Sequence, residues 1–243
     1  MHVSAVEGLP ELRPGDNIAT LIDDRTTVTD DTVVCISSTI VSKAEDRGRD
    51  LVSFSPDARA RSIADTLDTD PRFVQAVLEE SEELLITDPF LLTVTTFGHT
   101  APNAGIDRSN VPNADLLLLP LDPDESASRI RSQFDADPAV IVTDTCGRPF
   151  RHGQRGVAIG HAGIPAARDW RGESDRDGRE LSATVEAVVD ELAAAANVVT
   201  GEGDGGRPVA LIEDFEFGDH AESNALFRDR ETDLVRQALA EWT

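Results

Sequence analysis

The placing of its short apolar runs limits this chain most. Val33-Val34-Cys35-Ile36, Leu91 to Phe97, Ala114 to Leu119, Ala139 to Val142, Val157 to Ile159 and Pro208 to Ile212 read as strands. β-Branched and aliphatic runs bounded by turn residues fit a pleated, buried surface. A further short strand reads over residues 3–7. Helical spacing falls elsewhere: behind an Asp16 N-cap with Ile18, Ala19, Leu21 and Ile22, over 71–86 with Pro71 in the first turn, and over 124–134 behind acids. The longest helix reads over 181–198 and a last one over 223–242. Residues 98–113 read as a polar loop and 170–179 as a charged surface loop. Strands and helices mix without strict βαβ alternation. This predicts an α/β (α+β) fold with a mixed, largely antiparallel sheet and flanking helices. With no repeat, low-complexity segment or Pro/Ser-rich linker, residues 1–243 are expected to form one unit, with room for two subdomains.

Charge narrows the partners. The chain carries 46 Asp and Glu against 22 Lys and Arg, a formal charge of −24. Such a chain has no net attraction to nucleic acid or to an anionic membrane surface. No apolar run approaches the ~18 residues of a membrane-spanning helix. The N-terminus has no basic region leading into an apolar stretch, so a cytoplasmic location is expected. Cys35 and Cys146 are too few for a disulfide framework and read as reduced thiols. Hydrophobic residues still make up 40%, enough to fold. The acids are spread along the whole chain, which fits a solvated coat for work at high salt in a salt-accumulating microbe. A single Asp or Glu therefore means little in this chain, whereas Lys43, its one lysine beside 21 arginines, points to a place that needs an ammonium.

Four polar clusters sit at strand ends or between strands. Ser37-Ser38-Thr39 with Lys43 offers hydroxyls, backbone N–H groups and one ammonium, the donors a phosphate takes. A plain strand end with a surface lysine has the same pattern; the scarcity of lysine favours function. His99 to Val111 is long for a loop. Within it Asp107 offers hard oxygens to Mg²⁺ or Mn²⁺, and Asn103 and Asn110 offer amides to a base or ribose. Thr143 to Gln154 delivers Asp144 and the Thr145 hydroxyl at a strand end, as a divalent-metal site requires. Arg148, Arg151 and Arg155 there favour an anionic ligand, although Arg155 also fits pairing with nearby acids. Cys146, beside Asp144, is a poor activated thiol and reads as packing. Gly201-Glu202-Gly203-Asp204-Gly205-Gly206-Arg207 lacks the Gly-Lys-Ser/Thr ending of a P-loop. A tight helix-to-strand turn and a backbone approach to a nucleotide, with Glu202 near a metal, both fit it. The histidines lack zinc-ligand spacing, and no Gly-x-Ser-x-Gly is present.

Val6-Glu7-Gly8-Leu9-Pro10, Ser37 to Glu45, Asn103-Ala104-Gly105-Ile106-Asp107-Arg108-Ser109-Asn110-Val111 and Asp144-Thr145-Cys146-Gly147-Arg148-Pro149 together resemble the coenzyme F420-0:L-glutamate ligase family, in a haloarchaeal type. The likeness spans nearly the whole chain, and Asn-Ala-Gly-Ile-Asp is its most distinctive part. The resemblance implies addition of L-glutamate through γ-linkages to the phospholactyl tail of coenzyme F420-0, with GTP converted to GDP and phosphate. It implies two divalent ions, Mg²⁺ or Mn²⁺, assistance from K⁺, an intertwined homodimer, and no extra C-terminal domain of the kind some relatives carry. By matching motif, Leu9, Pro10, Glu11, Leu12, Ser38, Thr39, Lys43 and Asn110 would touch GTP. The segment Thr200, Gly201, Glu202, Gly203, Asp204, Gly205, Gly206 and Arg207 would wrap the nucleotide. Asp107, Asp144, Thr145 and Glu202 would hold the metals, with Lys43, Asp107 and Asp144 central to catalysis. From charge, Arg148 and Arg151 are candidates for the anionic coenzyme or the incoming glutamate. Two other readings stay open: a nucleotide- and metal-binding regulatory protein without turnover, and an amide ligase acting on another acid.

Overall fold

The computed structural model describes residues 1–108 and 114–240, and the chain divides into two compact units. The first unit takes residues 1–44 and 122–226; the second takes 45–121 and the chain after 226. The first opens with β1 (His2–Ala5), α1 (Ile18–Asp23), β2 (Val33–Ser37) and α2 (Ser38–Ala44). The second holds β3 (Gly48–Arg49), α3 (Ala58–Leu67), α4 (Pro71–Glu79), β4 (Ser81–Ile86), β5 (Leu92–Thr95), β6 (Thr100–Pro102) and β7 (Leu116–Leu117). The first unit resumes with α5 (Pro123–Arg131), β8 (Ala139–Arg148), β9 (Arg151–Ala162), β10 (Ala167–Asp169) and β11 (Val185–Glu186). It ends with α6 (Val188–Thr200), β12 (Val209–Glu213) and β13 (Ala221–Ser223), and α7 (Leu234–Ala240) belongs to the second unit. Among the described residues no helix is long and apolar enough to cross a membrane.

The first unit is built on a five-stranded sheet in the order β1-β12-β2-β8-β9. Only β2 and β8 run parallel; the other neighbours are antiparallel. Strand side chains alternate between faces. On one face Val33 and Cys35 of β2, Ile141 of β8, Ala158 of β9, and Ala210 and Ile212 of β12 pack against Val188, Val189, Leu192, Ala193 and Ala196 of α6. Helix α5 also lies against β8 and β9. Its N-terminus is set by Asp122, whose side chain accepts from the Glu125 N–H, with Pro123 in the first turn. Two glycines of β9 let helices come close. A Cβ on Gly156 would stand 2.5 Å from the Ala193 carbonyl oxygen, and one on Gly160 2.3 Å from the Pro123 carbonyl carbon. Strands β11, β10 and β13 form a smaller antiparallel sheet in this unit.

In the second unit α3, α4 and nearby segments share a core of Ala60, Ala64, Phe73, Val74, Val77, Leu91, Leu116 and Leu118. Strands β4, β5 and β6 form an antiparallel sheet, and β3 pairs with β7. Arg47 is buried, with its Nε donating to the Leu119 carbonyl at 2.8 Å and an Nη to Glu80 at 2.7 Å. Burial raises the Glu80 carboxyl above its ordinary range despite that cation, so desolvation outweighs the pair. Helix α7 is tied to β4 through Arg236 and Glu83, 2.5 Å apart.

Several elements differ from the sequence expectation. Asn17, not Asp16, caps α1, by accepting from the Thr20 N–H; Asp16 accepts from the Arg13 N–H in the preceding turn. The helix expected over 71–86 stops at Glu79, and Ser81–Ile86 is drawn into a strand by pairing with β5. Helix α3 is absent from the sequence expectation although Ile63 and Leu67 pack beside the buried Ala60 and Ala64 at helical spacing. The loop over 98–113 contains β6 and a tight turn at Asn103–Gly105. Residues 143–148 continue β8 rather than ending it, and β9 runs for 12 residues. The helix expected over 181–198 begins at Val188, behind β11. The one expected over 223–242 is confined to Leu234–Ala240, with Ser223 in a strand and Trp242 outside the described residues.

Candidate functional site

The parallel pairing of β2 with β8 sets the main cluster. It aligns Ser37 with Thr143, so α2, which starts at Ser38, begins beside the next residues of β8. The Ser38 hydroxyl donates to Asp144 Oδ1 at 3.5 Å, and the Ser37 hydroxyl accepts from the Thr39 N–H at 3.3 Å. One α-helical turn after Thr39, Lys43 reaches Glu11, with Nζ 2.5 Å from Oε1. The Lys43 side chain is 14% exposed, so the ammonium is held at the protein's edge rather than free in solvent. The loop carrying Leu9, Pro10, Glu11 and Leu12 is anchored at both ends. Arg25 Nε donates to the Gly8 carbonyl at 2.9 Å, and Leu12 is buried. The phosphate-binding reading and the Leu9–Leu12 motif, separate in sequence, thus meet through one ion pair.

Consecutive strand residues point to opposite faces, so Thr145 meets different partners from Asp144. The Thr145 hydroxyl donates to Glu202 Oε1 at 3.0 Å. Asn197, in the last turn of α6, donates its amide to the same oxygen at 2.6 Å. Helix α6 ends at Thr200, whose hydroxyl donates to the Ala196 carbonyl. Gly201 and Gly206 have φ of +72° and +62°, and a Cβ on Gly201, Gly203 or Gly206 would meet open space. Here glycine serves the backbone conformation and leaves the segment's surface uncovered. Asp204 is exposed on that turn, and Gly205 lies against the Arg207 side chain. Further along the β8–β9 hairpin, Arg148 donates to the His152 carbonyl at 3.0 Å, and Arg151 is exposed. Arg155 pairs with Asp190 at 3.3 Å. Burial first, and then the Asp144 charge, raise the Cys146 thiol above its ordinary range, the opposite of what an activated nucleophile needs.

Asp107 belongs to the second unit. Its backbone exchanges hydrogen bonds with Leu117 in both directions, at 3.0 and 2.8 Å. The turn before it is strained: Asn103, Ala104 and Gly105 have φ of 53°, 56° and 67°. The left-handed region is disfavoured for alanine, and such strain persists only where the surroundings enforce it. Here the Ala104 N–H donates to the buried Thr93 hydroxyl at 3.1 Å, and a Cβ at Gly105 would lie 2.4 Å from Leu119. These contacts give the Asn-Ala-Gly-Ile-Asp motif a physical basis. Asn110 lies outside the described residues.

The oxygen donors fit a hard divalent cation. On one side of β8 Thr145 and Glu202 supply a hydroxyl and a carboxylate, on the other Asp144 supplies a carboxylate, and Glu202 Oε2 has no partner among the described residues. No group of three or more His, Cys, Asp and Glu side chains that could hold a metal is present among the described residues. Mg²⁺ is commonly held by one or two carboxylates together with substrate phosphates and water, so the donor set suits a cation that arrives with a phosphate ligand. Sequence reasoning missed Asn197. It had a signal: Asn197 is the single polar residue between Leu192 and Thr200 in a run of Ala and Val.

The mixed sheet carries hydroxyls and carboxylates at the end of β2 and along β8, with one ammonium on α2 beside them. A family model described as F420-0:gamma-glutamyl ligase matches residues 8–214, and the chain belongs to that family. It is 62% identical to a coenzyme F420:L-glutamate ligase of Haloarcula marismortui, over 100% of this chain and 98% of that one. A protein of the same name from Natronomonas pharaonis is 61% identical with the same coverage, and one from Archaeoglobus fulgidus is 45% identical over 98% of each chain.

Proposed function

We propose that the chain joins L-glutamate, through γ-linkages, to the phospholactyl tail of coenzyme F420-0, consuming GTP and releasing GDP and phosphate. The observation that carries this reading is the side-chain array on β8, where Asp144 meets Ser38 and Thr145 meets Glu202. Full-length similarity to proteins named coenzyme F420:L-glutamate ligase supports the acceptor and the amino acid.

A carboxylate is a poor electrophile and must be activated before an amine can attack it. In this reading an acceptor carboxylate oxygen attacks the γ-phosphorus of GTP and GDP leaves, giving an acyl phosphate. The glutamate amine then attacks the acyl carbon, phosphate is expelled, and an amide remains. Phosphoryl transfer of this kind depends on positioning and charge neutralisation. Ser38, Thr39 and the α2 backbone receive phosphate oxygens, and Lys43 adds a point charge once it exchanges Glu11 for the nucleotide. The loop Leu9–Leu12 and the segment Thr200–Arg207 hold the rest of GTP. Asp144 on one side of β8, and Thr145 with Glu202 on the other, would hold divalent cation, and on the second unit the same reading gives a divalent cation to Asp107. Bound Mg²⁺ or Mn²⁺ supplies neutralising charge to the phosphates, and K⁺ assists. Arg148 and Arg151 face the anionic coenzyme or glutamate, and the working form is a homodimer.

The test is direct. The protein is incubated with GTP, Mn²⁺, K⁺, L-glutamate and unglutamylated coenzyme at high salt, and product masses are read. Products heavier by glutamyl units, with GDP formed alongside, are expected. GDP without glutamylated product, or no product at any salt, would overturn the reading.

A further inference from the structure

We propose that Asn197 is a positioning residue that, together with Thr145, orients Glu202 for a divalent cation. The inference rests on the reading of Glu202 as a metal ligand and adds the residue that fixes its geometry. Glu202 is exposed, and an exposed glutamate ordinarily samples many rotamers. Here one oxygen, Oε1, receives both the Asn197 amide at 2.6 Å and the Thr145 hydroxyl at 3.0 Å. Two donors converging on Oε1 hold that oxygen in place and leave Oε2 without a partner among the described residues. The surrounding glycines keep the space clear, since a Cβ on Gly201 or Gly203 would meet nothing within 4 Å.

The backbone is arranged to allow this contact. Thr145 pairs with Gly156 across the β8–β9 ladder. A Cβ on Gly156 would stand 2.9 Å from Asn197 Cβ, so only glycine there lets the last turn of α6 lie close enough to β9. Asn197 is otherwise hard to account for. It interrupts the Ala and Val of α6, and its amide spends its donor on an exposed carboxylate instead of the core. Partners that orient a metal-binding carboxylate in this way govern metal affinity as well as the ligand itself.

The experiment measures Mn²⁺ affinity of the full chain with GTP present and neither glutamate nor coenzyme, from the electron paramagnetic resonance signal of free Mn²⁺. Glu202→Gln and Asn197→Ala are each expected to weaken binding roughly 10–100-fold, the usual effect of losing such a partner. The double variant is expected to bind no more weakly than Glu202→Gln alone, because the two act through one carboxylate. Alanine is a better helix former than asparagine, so Asn197→Ala should keep its metal-free melting temperature. Asn197→Ser, too short to reach Oε1, provides a second variant with the same expected loss. Unchanged affinity in both Asn197 variants, with Glu202→Gln weakened, would overturn the positioning role alone. Unchanged affinity in Glu202→Gln would overturn the metal reading and this inference together. Additive losses in the double variant would mean that Asn197 acts elsewhere.

Discussion

His99 sets a local limit on acid stability. It is buried at 6% exposure beside Phe97 and Phe227, and burial lowers its imidazole from 6.5 to about 4. Between those values the unfolded chain binds a proton that the folded chain refuses. Its contribution to stability is therefore complete above about pH 6.5 and falls as pH drops towards 4, by on the order of 3 kcal/mol. Urea unfolding at stepped pH should show the wild-type chain losing stability faster over that window than His99→Gln. Equal slopes would mean that the imidazole is not held neutral. Residue-scale legibility in the sequence depended on rarity. Lys43 stood out as a lone lysine, and the structure gives it a specific partner in Glu11. Glu202 stands out only as part of a glycine-rich segment, and Asn197 only as the lone polar residue of an Ala and Val run, because a hydrogen bond from a helix end to the following turn leaves no period in the sequence.

The β8–β9 hairpin is the element that organises the first unit, and its glycines carry the closest packing. At Gly160 an added methyl would meet the backbone of Pro123, which cannot rotate away as a side-chain end can. Gly160→Ala should therefore cost about 1–3 kcal/mol, the range for overpacking. Gly147→Ala on the same hairpin meets open space and has no left-handed φ, so its denaturation midpoint should stay close to wild type. A loss as large at Gly147 as at Gly160 would contradict the account. The strands at Val33–Ser37 and Val209–Glu213 and the Ala139–Val142 part of β8 are legible because buried β-branched runs have little else to become. The extension of β8 through Thr143–Arg148 is not, since polar residues in a ribbon look like a loop until the partner strand is known. Helix α4 and strand β4 were merged for the converse reason: Leu84 and Leu85 suit either period, and pairing with β5 decides.

At the scale of the molecule the charge of −24 governs behaviour in solution. Two like charges about 10 Å apart in water repel by only ~0.4 kcal/mol, but the acids are many and distributed, so the sum opposes the compact state. The close ion pairs, such as Arg72 with Asp70 and Arg171 with Asp169, lie two residues apart in sequence and relieve little of the long-range field. Screening length falls from about 10 Å at 0.1 M salt to about 3 Å at 1 M, below most distances between surface charges. The melting temperature should therefore rise with added KCl, mostly below 1 M, by roughly 5–10 °C if a few kcal/mol of repulsion is removed. NaCl at equal ionic strength should act alike, because screening does not distinguish the two cations. A gain with KCl alone would point to a specific K⁺ site. A flat response would show that the acids are already neutralised pairwise, and the coat would then have no stabilising dependence on salt. The same field opposes any anionic ligand approaching from solution, so a nucleotide or an anionic coenzyme must be received by local cations against the charge of the whole. Lys43, whose ammonium is paired with Glu11, is the cation that the proposed function assigns to that exchange.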